Sequence, residues 1–294
     1  MYDMKNHKTV TPSADDANRR WGFLFLLVLF LTFAANAFAN VLVAPTVVFI
    51  NDRGRTGRME IQNPSQQPRE VTIHFSYGLP ISDSLGNVTV MLQDSGVVDP
   101  RSALDWVKAF PRRLVIAPGA TQVVRLVATP PDGLKDGEYW ARIVVRSQEG
   151  QTTIPAPSSE GSITTKLNMI MQTAIMLKYR KGAVNSQVEL KSARATMNDS
   201  LLSVLVDLSS TGNASYVGSL NCRVLDADKK VMAQQRTDLA VYRDLKRRVD
   251  FPIRTIVGKK PFSVDVSIST DGRTDIAQTD MIQGNKIEYS VAVE

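Results

Sequence analysis

The feature that most constrains this chain is a period of two running from Lys166 to Lys181. Leu167, Met169, Met171, Thr173, Ile175, Leu177 and Tyr179 fall on one side of an extended chain. Lys166, Asn168, Ile170, Gln172, Ala174, Met176, Lys178 and Arg180 fall on the other. Successive side chains of a strand point to opposite faces, so this alternation predicts a strand, and one longer than the usual length of about five or six residues. Its first half carries Leu167, Met169 and Met171 rather than Val and Ile. Unbranched or γ-branched side chains adapt to irregular or exchangeable partners better than β-branched ones do. The pattern alone is that of a core strand in a β-sandwich.

The rest of the chain follows the same rule. Residues 41–49, 56–62, 71–77, 113–116 and 121–128 have strand patterns, separated by Asn51-Asp-Arg-Gly54, Asn63-Pro64, Leu85-Gly86-Asn87 and Pro118-Gly119. A short irregular or 3₁₀ piece is expected within 98–107. Beyond Lys181-Gly182 a second series begins: 188–193, 201–208, 218–225, 230–233, 247–251 and 262–268, with turns at 210–213, 226–228 and 270–272. Many short strands punctuated by Gly, Pro, Asn and Asp, with no sustained helical period, predict an all-β protein.

The N-terminal 39 residues read differently. Arg19-Arg20 precede an apolar run of about 15 residues, which closes on Ala37-Phe38-Ala39, the layout of a secretory signal peptide. The run is shorter than the about 20 apolar residues that a membrane span requires. Cleavage after Ala39 leaves about 255 residues, enough for two immunoglobulin-like sandwiches of about 100 residues each. The expected organisation is a signal peptide over 1–39, a first domain over 40–181 and a second over 182–294.

Four basic and three acidic side chains leave with residues 1–39, taking the formal charge from +6 to +5. With no arginine-rich run, this balance does not point to nucleic acid, but it suits holding a carboxylate. Cys222 is the sole cysteine, so no internal disulfide can form; it alternates with Leu220 and Val224, as a buried inert thiol would. His74 is the only imidazole left after cleavage, placed on the polar side of its strand. Without a second histidine or a cysteine partner, no Ser-His-Asp, Cys-His or histidine-based metal arrangement can be assembled. No phosphate-binding glycine loop is present. The expectation is therefore a non-enzyme with no metal, no cofactor and no small-molecule substrate. Residues 147–165, rich in Ser, Gly, Pro and Glu, form a connection long for a hairpin, and such connections are usually functional or disordered.

Met171-Gln-Thr-Ala-Ile-Met-Leu-Lys-Tyr-Arg180 resembles the last strand of the first domain in periplasmic pilus-assembly chaperones of the chaperone–usher pathway. Phe110-Pro-Arg-Arg-Leu-Val-Ile-Ala-Pro-Gly119, with Val123-Val-Arg-Leu126, is similar to that family's proline, Arg-Leu, Pro-Gly and Val-Arg-Leu series. Glu138-Tyr-Trp-Ala-Arg-Ile143 resembles its aromatic penultimate strand, and residues 41–49 its first. The resemblance covers most of 41–181 in the family's order and is weaker beyond. It implies two immunoglobulin-like domains meeting at an angle in the periplasm. It also implies a partner subunit with an incomplete immunoglobulin fold, to which a strand is lent, and delivery to an outer-membrane usher. The lent residues would be Leu167, Met169 and Met171.

Classical members of the family hold the subunit's terminal carboxylate with an arginine in the first strand and a lysine late in the last one. The matching positions here are Thr46 and Met176, and neither can make a charge-assisted hydrogen bond. Some divergent, archaic-type members resemble this chain in carrying a basic residue at the position of Arg142, which makes Arg142 the first candidate anchor, followed by Lys178 and Arg180. The alternative reading is a two-domain immunoglobulin-like structural or adhesive protein of the cell surface.

Overall fold

Apolar side chains at every second position need a second layer to cover them, and a twofold sandwich supplies it. The computed structural model describes residues 41–150 and 169–294. The expected signal peptide, most of the 147–165 connection and Leu167 lie outside the described residues.

The first half contains β1 (Leu42–Ala44), β2 (Val47–Asn51), β3 (Thr56–Gln62), β4 (Arg69–Ser76), β5 (Pro80–Ser82), β6 (Val88–Val90), β7 (Val107–Phe110), β8 (Arg113–Ile116), β9 (Thr121–Ala128), β10 (Gly137–Glu149) and β11 (Met171–Lys181). One sheet has the order β1-β3-β9-β7 and the other β2-β11-β10-β4-β8, with β5–β6 a separate hairpin. This is the immunoglobulin arrangement. Met59, Ile61, Val124 and Leu126 of the first sheet meet Ile73, Ile143, Leu177 and Tyr179 of the second in one core. A 3₁₀ turn, Leu104–Trp106, falls in the stretch expected to be irregular.

The sequence pattern treats 41–49 as one strand, but the structure divides it. β1 pairs antiparallel with β3, whereas β2 pairs parallel with β11 in the opposite sheet. Pro45 lies at the crossing and has no N–H to give to a ladder, so the pairing with β3 ends there.

The second half contains β12 (Val188–Met197), β13 (Leu201–Ser210), β14 (Tyr216–Leu225), β15 (Val231–Val241), β16 (Asp244–Pro252), β17 (Ser263–Ser269) and β18 (Ile287–Ala292). Its sheets are β12-β13-β16 and β15-β14-β17-β18. Val204, Val206, Leu220, Val264 and Val266 build a second core, and Cys222 lies within it. Burial pushes the Cys222 thiol up to about 12, so it is inert at neutral pH. β18 is absent from the sequence-derived series, although Ile287, Tyr289 and Val291 alternate along it. β15 runs well past the expected 230–233, its later residues Gln234, Gln235, Arg236 and Asp238 being the polar ones that an edge strand tolerates. Among the described residues, no ladder joins a strand of one sandwich to a strand of the other.

Candidate functional site

β11 has two parts with different surroundings. β10 pairs with it along its whole length, from Ser147↔Met171 to Gly137↔Lys181. On the other side β2 pairs only from Met176 onward, and the Met176 amide donates to the Thr46 carbonyl at 3.1 Å. Before that point the chain has left for the other sheet at Pro45, so Met171, Gln172 and Ala174 lie beyond the reach of β2. Burial follows the same division. Ile175, Met176, Leu177, Lys178 and Tyr179 are buried, Met171 is half-buried, and Met169 and Ile170 are exposed. Met169 and Met171 therefore precede and open a sheet edge, the kind of backbone row that accepts another strand.

Arg142 stands one strand away from Met176 and two from the β2 end at Thr46. It pairs in register with Met176, which pairs with Val47 directly after Thr46. Neighbouring strands are about 4.8 Å apart, so Arg142 sits beside Met176 and about twice that distance from the β2 position that follows Thr46. Its Nε donates to the Gly78 carbonyl at 2.9 Å. The two terminal NH₂ groups have no acceptor among the described residues. Burial lowers the Arg142 pKa from its ordinary value, partly offset by Tyr242, but a guanidinium remains charged. Beside it Trp140, Met176 and Tyr242 form a small apolar cluster joined by Val47, Tyr77 and Leu79, with Trp140 and Tyr242 edge to face at 5.0 Å.

Lys178 and Arg180 share the Met176 face of β11 but are already engaged. The Lys178 ammonium lies 3.2 Å from Glu138 Oε1 and donates to Ser215 Oγ at 2.5 Å. Arg180 Nε donates to Glu138 Oε2 at 2.9 Å, and its Nη1 to the Asp280 carbonyl at 2.6 Å. Glu138 also accepts from Trp140 Nε1 at 2.8 Å and from Ser215 Oγ at 2.5 Å. Ser215 and Asp280 belong to the second half, so this carboxylate is the hub of a charged junction between the halves. Burial pushes Glu138 up, but Lys178 and Arg180 outweigh it and bring the group down to about 2. Burial likewise lowers Lys178, and Glu138 works against that shift.

Sequence reasoning missed Glu138 and Tyr242. The available signal was an acidic residue opening the stretch 138–145, whose only other charge is Arg142. His74 is half-buried on β4 rather than exposed. Among the described residues, no group of three His, Cys, Asp or Glu is placed to hold a metal ion. What the arrangement offers, among the described residues, is a stretch of β11 unpaired on its β2 side and, level with the point where that pairing begins, a guanidinium whose two terminal NH₂ groups could receive a carboxylate in bidentate fashion.

No protein-family model matches the chain, and no curated protein matches it by sequence. Solved structures of similar shape include the YadV chaperone, at 15% identity, covering 86% of this chain and 99% of that one, with a TM-score of 0.43. The CsuC–CsuE chaperone–tip adhesion subunit pre-assembly complex, from archaic chaperone–usher Csu pili of Acinetobacter baumannii, is 12% identical, covers 87% and 98%, and has a TM-score of 0.42. The Salmonella enterica SafA pilin in complex with the SafB chaperone is 14% identical, covers 87% and 99%, and has a TM-score of 0.41.

Proposed function

We propose that this chain is a periplasmic chaperone of the chaperone–usher kind, with a signal peptide over 1–39 and two immunoglobulin-like domains over 40–181 and 182–294. It captures a pilin-like or fibre subunit whose own sandwich lacks a strand, keeps it soluble and passes it to an outer-membrane usher. The observation that carries this reading is the Arg142 guanidinium, whose terminal NH₂ groups have no acceptor among the described residues, one strand from the point where the unpaired part of β11 ends. The motif series at 110–126, 138–143 and 171–180 supports it independently.

A subunit lacking a strand exposes a groove with unpaired backbone on both walls. The stretch from Leu167 to Ala174 fills it by main-chain hydrogen bonds, while Leu167, Met169 and Met171 enter its pockets. Full burial of each such side chain contributes about 1.5–3 kcal/mol. An extended strand can slide by two residues and present the same face, so its register needs a fixed end. Arg142 fixes it by holding the subunit's terminal carboxylate. Lys178 and Arg180 carry less of that task, since both are already paired with Glu138. No cofactor or catalytic group enters this role.

Deleting the reading frame and comparing periplasmic proteomes tests the reading. A small β-rich exported protein should be lost, then restored by the wild-type chain but not by one with Leu167, Met169 and Met171 changed to Ser. No change in any exported protein would overturn the proposal.

A further inference from the structure

β16 closes one side of its three-stranded sheet, and no strand of the second half lies beyond it. Such an edge presents a row of backbone groups that invites another chain unless it is covered. The amides of Lys246 and Arg248, two residues apart, face outward from this edge. Both are met by the β5–β6 hairpin of the first half: Lys246 N donates to Ser82 Oγ at 2.7 Å, and Arg248 N donates to the Gly86 carbonyl at 3.2 Å. Val88 packs against the margin of the second core.

The hairpin tip is shaped before it docks. Asp83 accepts from the amides of Leu85 and Asn87, each at 2.9 Å, and from Asn87 Nδ2 at 2.7 Å. Gly86 adopts a φ of 78°, in the left-handed region that favours glycine. A Cβ there would stand 2.6 Å from Leu205 Cδ1 and 2.8 Å from Arg248 N. Only glycine lets the tip approach so closely. The returning chain is held as well: Asp99 accepts from Tyr77 and, at 2.6 Å, from Arg243, while Arg101 Nη1 donates to the Asn213 carbonyl. At the hairpin's root, the Gly78 carbonyl holds Arg142.

We propose that residues 77–101 form a clasp, in which the first half lends its β5–β6 hairpin to cover the β16 edge. The clasp fixes how the two sandwiches face each other and ties the setting of Arg142 to the second one. It makes Ser82, Gly86 and Val88 positioning residues, independently of what the open edge of β11 captures.

The test is residue-resolved amide hydrogen exchange on the intact chain and on Gly86→Val. The expected result is that Lys246 and Arg248 lose protection by about tenfold or more in the variant, while Val204 and Val206 in the adjoining strand keep theirs. Nitroxide labels at Glu60→Cys and Lys230→Cys should then give a broader distance distribution; Cys222 is buried and does not label. If Gly86→Val fails to fold, Ser82→Ala combined with Val88→Ser tests the same contacts without backbone strain. Unchanged protection of Lys246 and Arg248, or an unchanged label distance and width, would overturn the clasp.

Discussion

Replacing Glu138 by Gln should unsettle the junction between the two sandwiches more than any other single isosteric change. The Glu138 side chain is 0% exposed and that of Lys178 is 2% exposed, so the pair is fully desolvated. Gln fills the same space but removes the charge, leaving a buried ammonium whose remaining partners, Ser215 Oγ and the ring of Tyr242 among them, are neutral. Breaking a buried pair from one side costs about 3–5 kcal/mol, because the surviving charge stays uncompensated. Arg180 adds little to this cost, since its side chain is 18% exposed and can be solvated. At about 2–4 °C per kcal/mol for a chain of this size, the melting temperature should fall by roughly 10 °C. Thermal and urea unfolding followed by tryptophan fluorescence reads the change where it occurs, because Trp140 is hydrogen-bonded to Glu138 and packs edge to face with Tyr242. Combining Glu138→Gln with Lys178→Met removes both charges and should recover most of the loss. A Glu138→Gln variant within about 1 kcal/mol of wild type would refute this account of the junction, given the magnitude expected for a buried pair.

Acid should act through the same carboxylate. Its folded value of about 2 lies below the ordinary 4.5, so its contribution is complete above pH 4.5 and is lost as pH falls towards 2. Urea midpoints measured from pH 6 down to pH 2 should fall across that window, and less steeply in Glu138→Gln. Changing Leu167, Met169 and Met171 to Ser should abolish subunit capture while leaving the melting temperature nearly unchanged, because Met169 is exposed and Ile175, Leu177 and Tyr179 still hold β11 in the core. Arg142→Ala should lose subunit recovery in a periplasmic pull-down at little cost in stability, and Arg142→Lys should recover part of it, since an ammonium cannot clamp a carboxylate bidentately. Lys178→Ala should instead lower stability, because it leaves the buried Glu138 with only one of its two cationic partners.

Much of the fold was legible because alternation and turn chemistry are local. β3 and β9 fall on the residues their patterns mark, and the face of β11 that carries Ile175, Leu177 and Tyr179 is the buried one. The split of the first strand turned on one missing amide at Pro45, a subtler cue than hydrophobic period. The opposite face of β11 misled for a different reason. Met176, Lys178 and Arg180 alternate like a polar surface, yet Met176 and Lys178 are buried because the second sandwich covers them. That cover depends on Ser215, Tyr242 and Asp280, which no spacing along β11 reveals. The role of Glu138 was hidden for the same reason, its partners lying 40, 42 and 77 residues away. The placement of Arg142 beside Met176 was predictable, because sequential strands usually pair.

The most direct test of strand lending is amide exchange on the chain alone and on its complex with the subunit that co-purifies from periplasm. The account predicts a one-to-one complex in which Gln172 and Ala174 become strongly protected, while Leu177 and Tyr179, already paired inside the sheet, stay as they were. A complex that forms without new protection at Gln172 and Ala174 would contradict it.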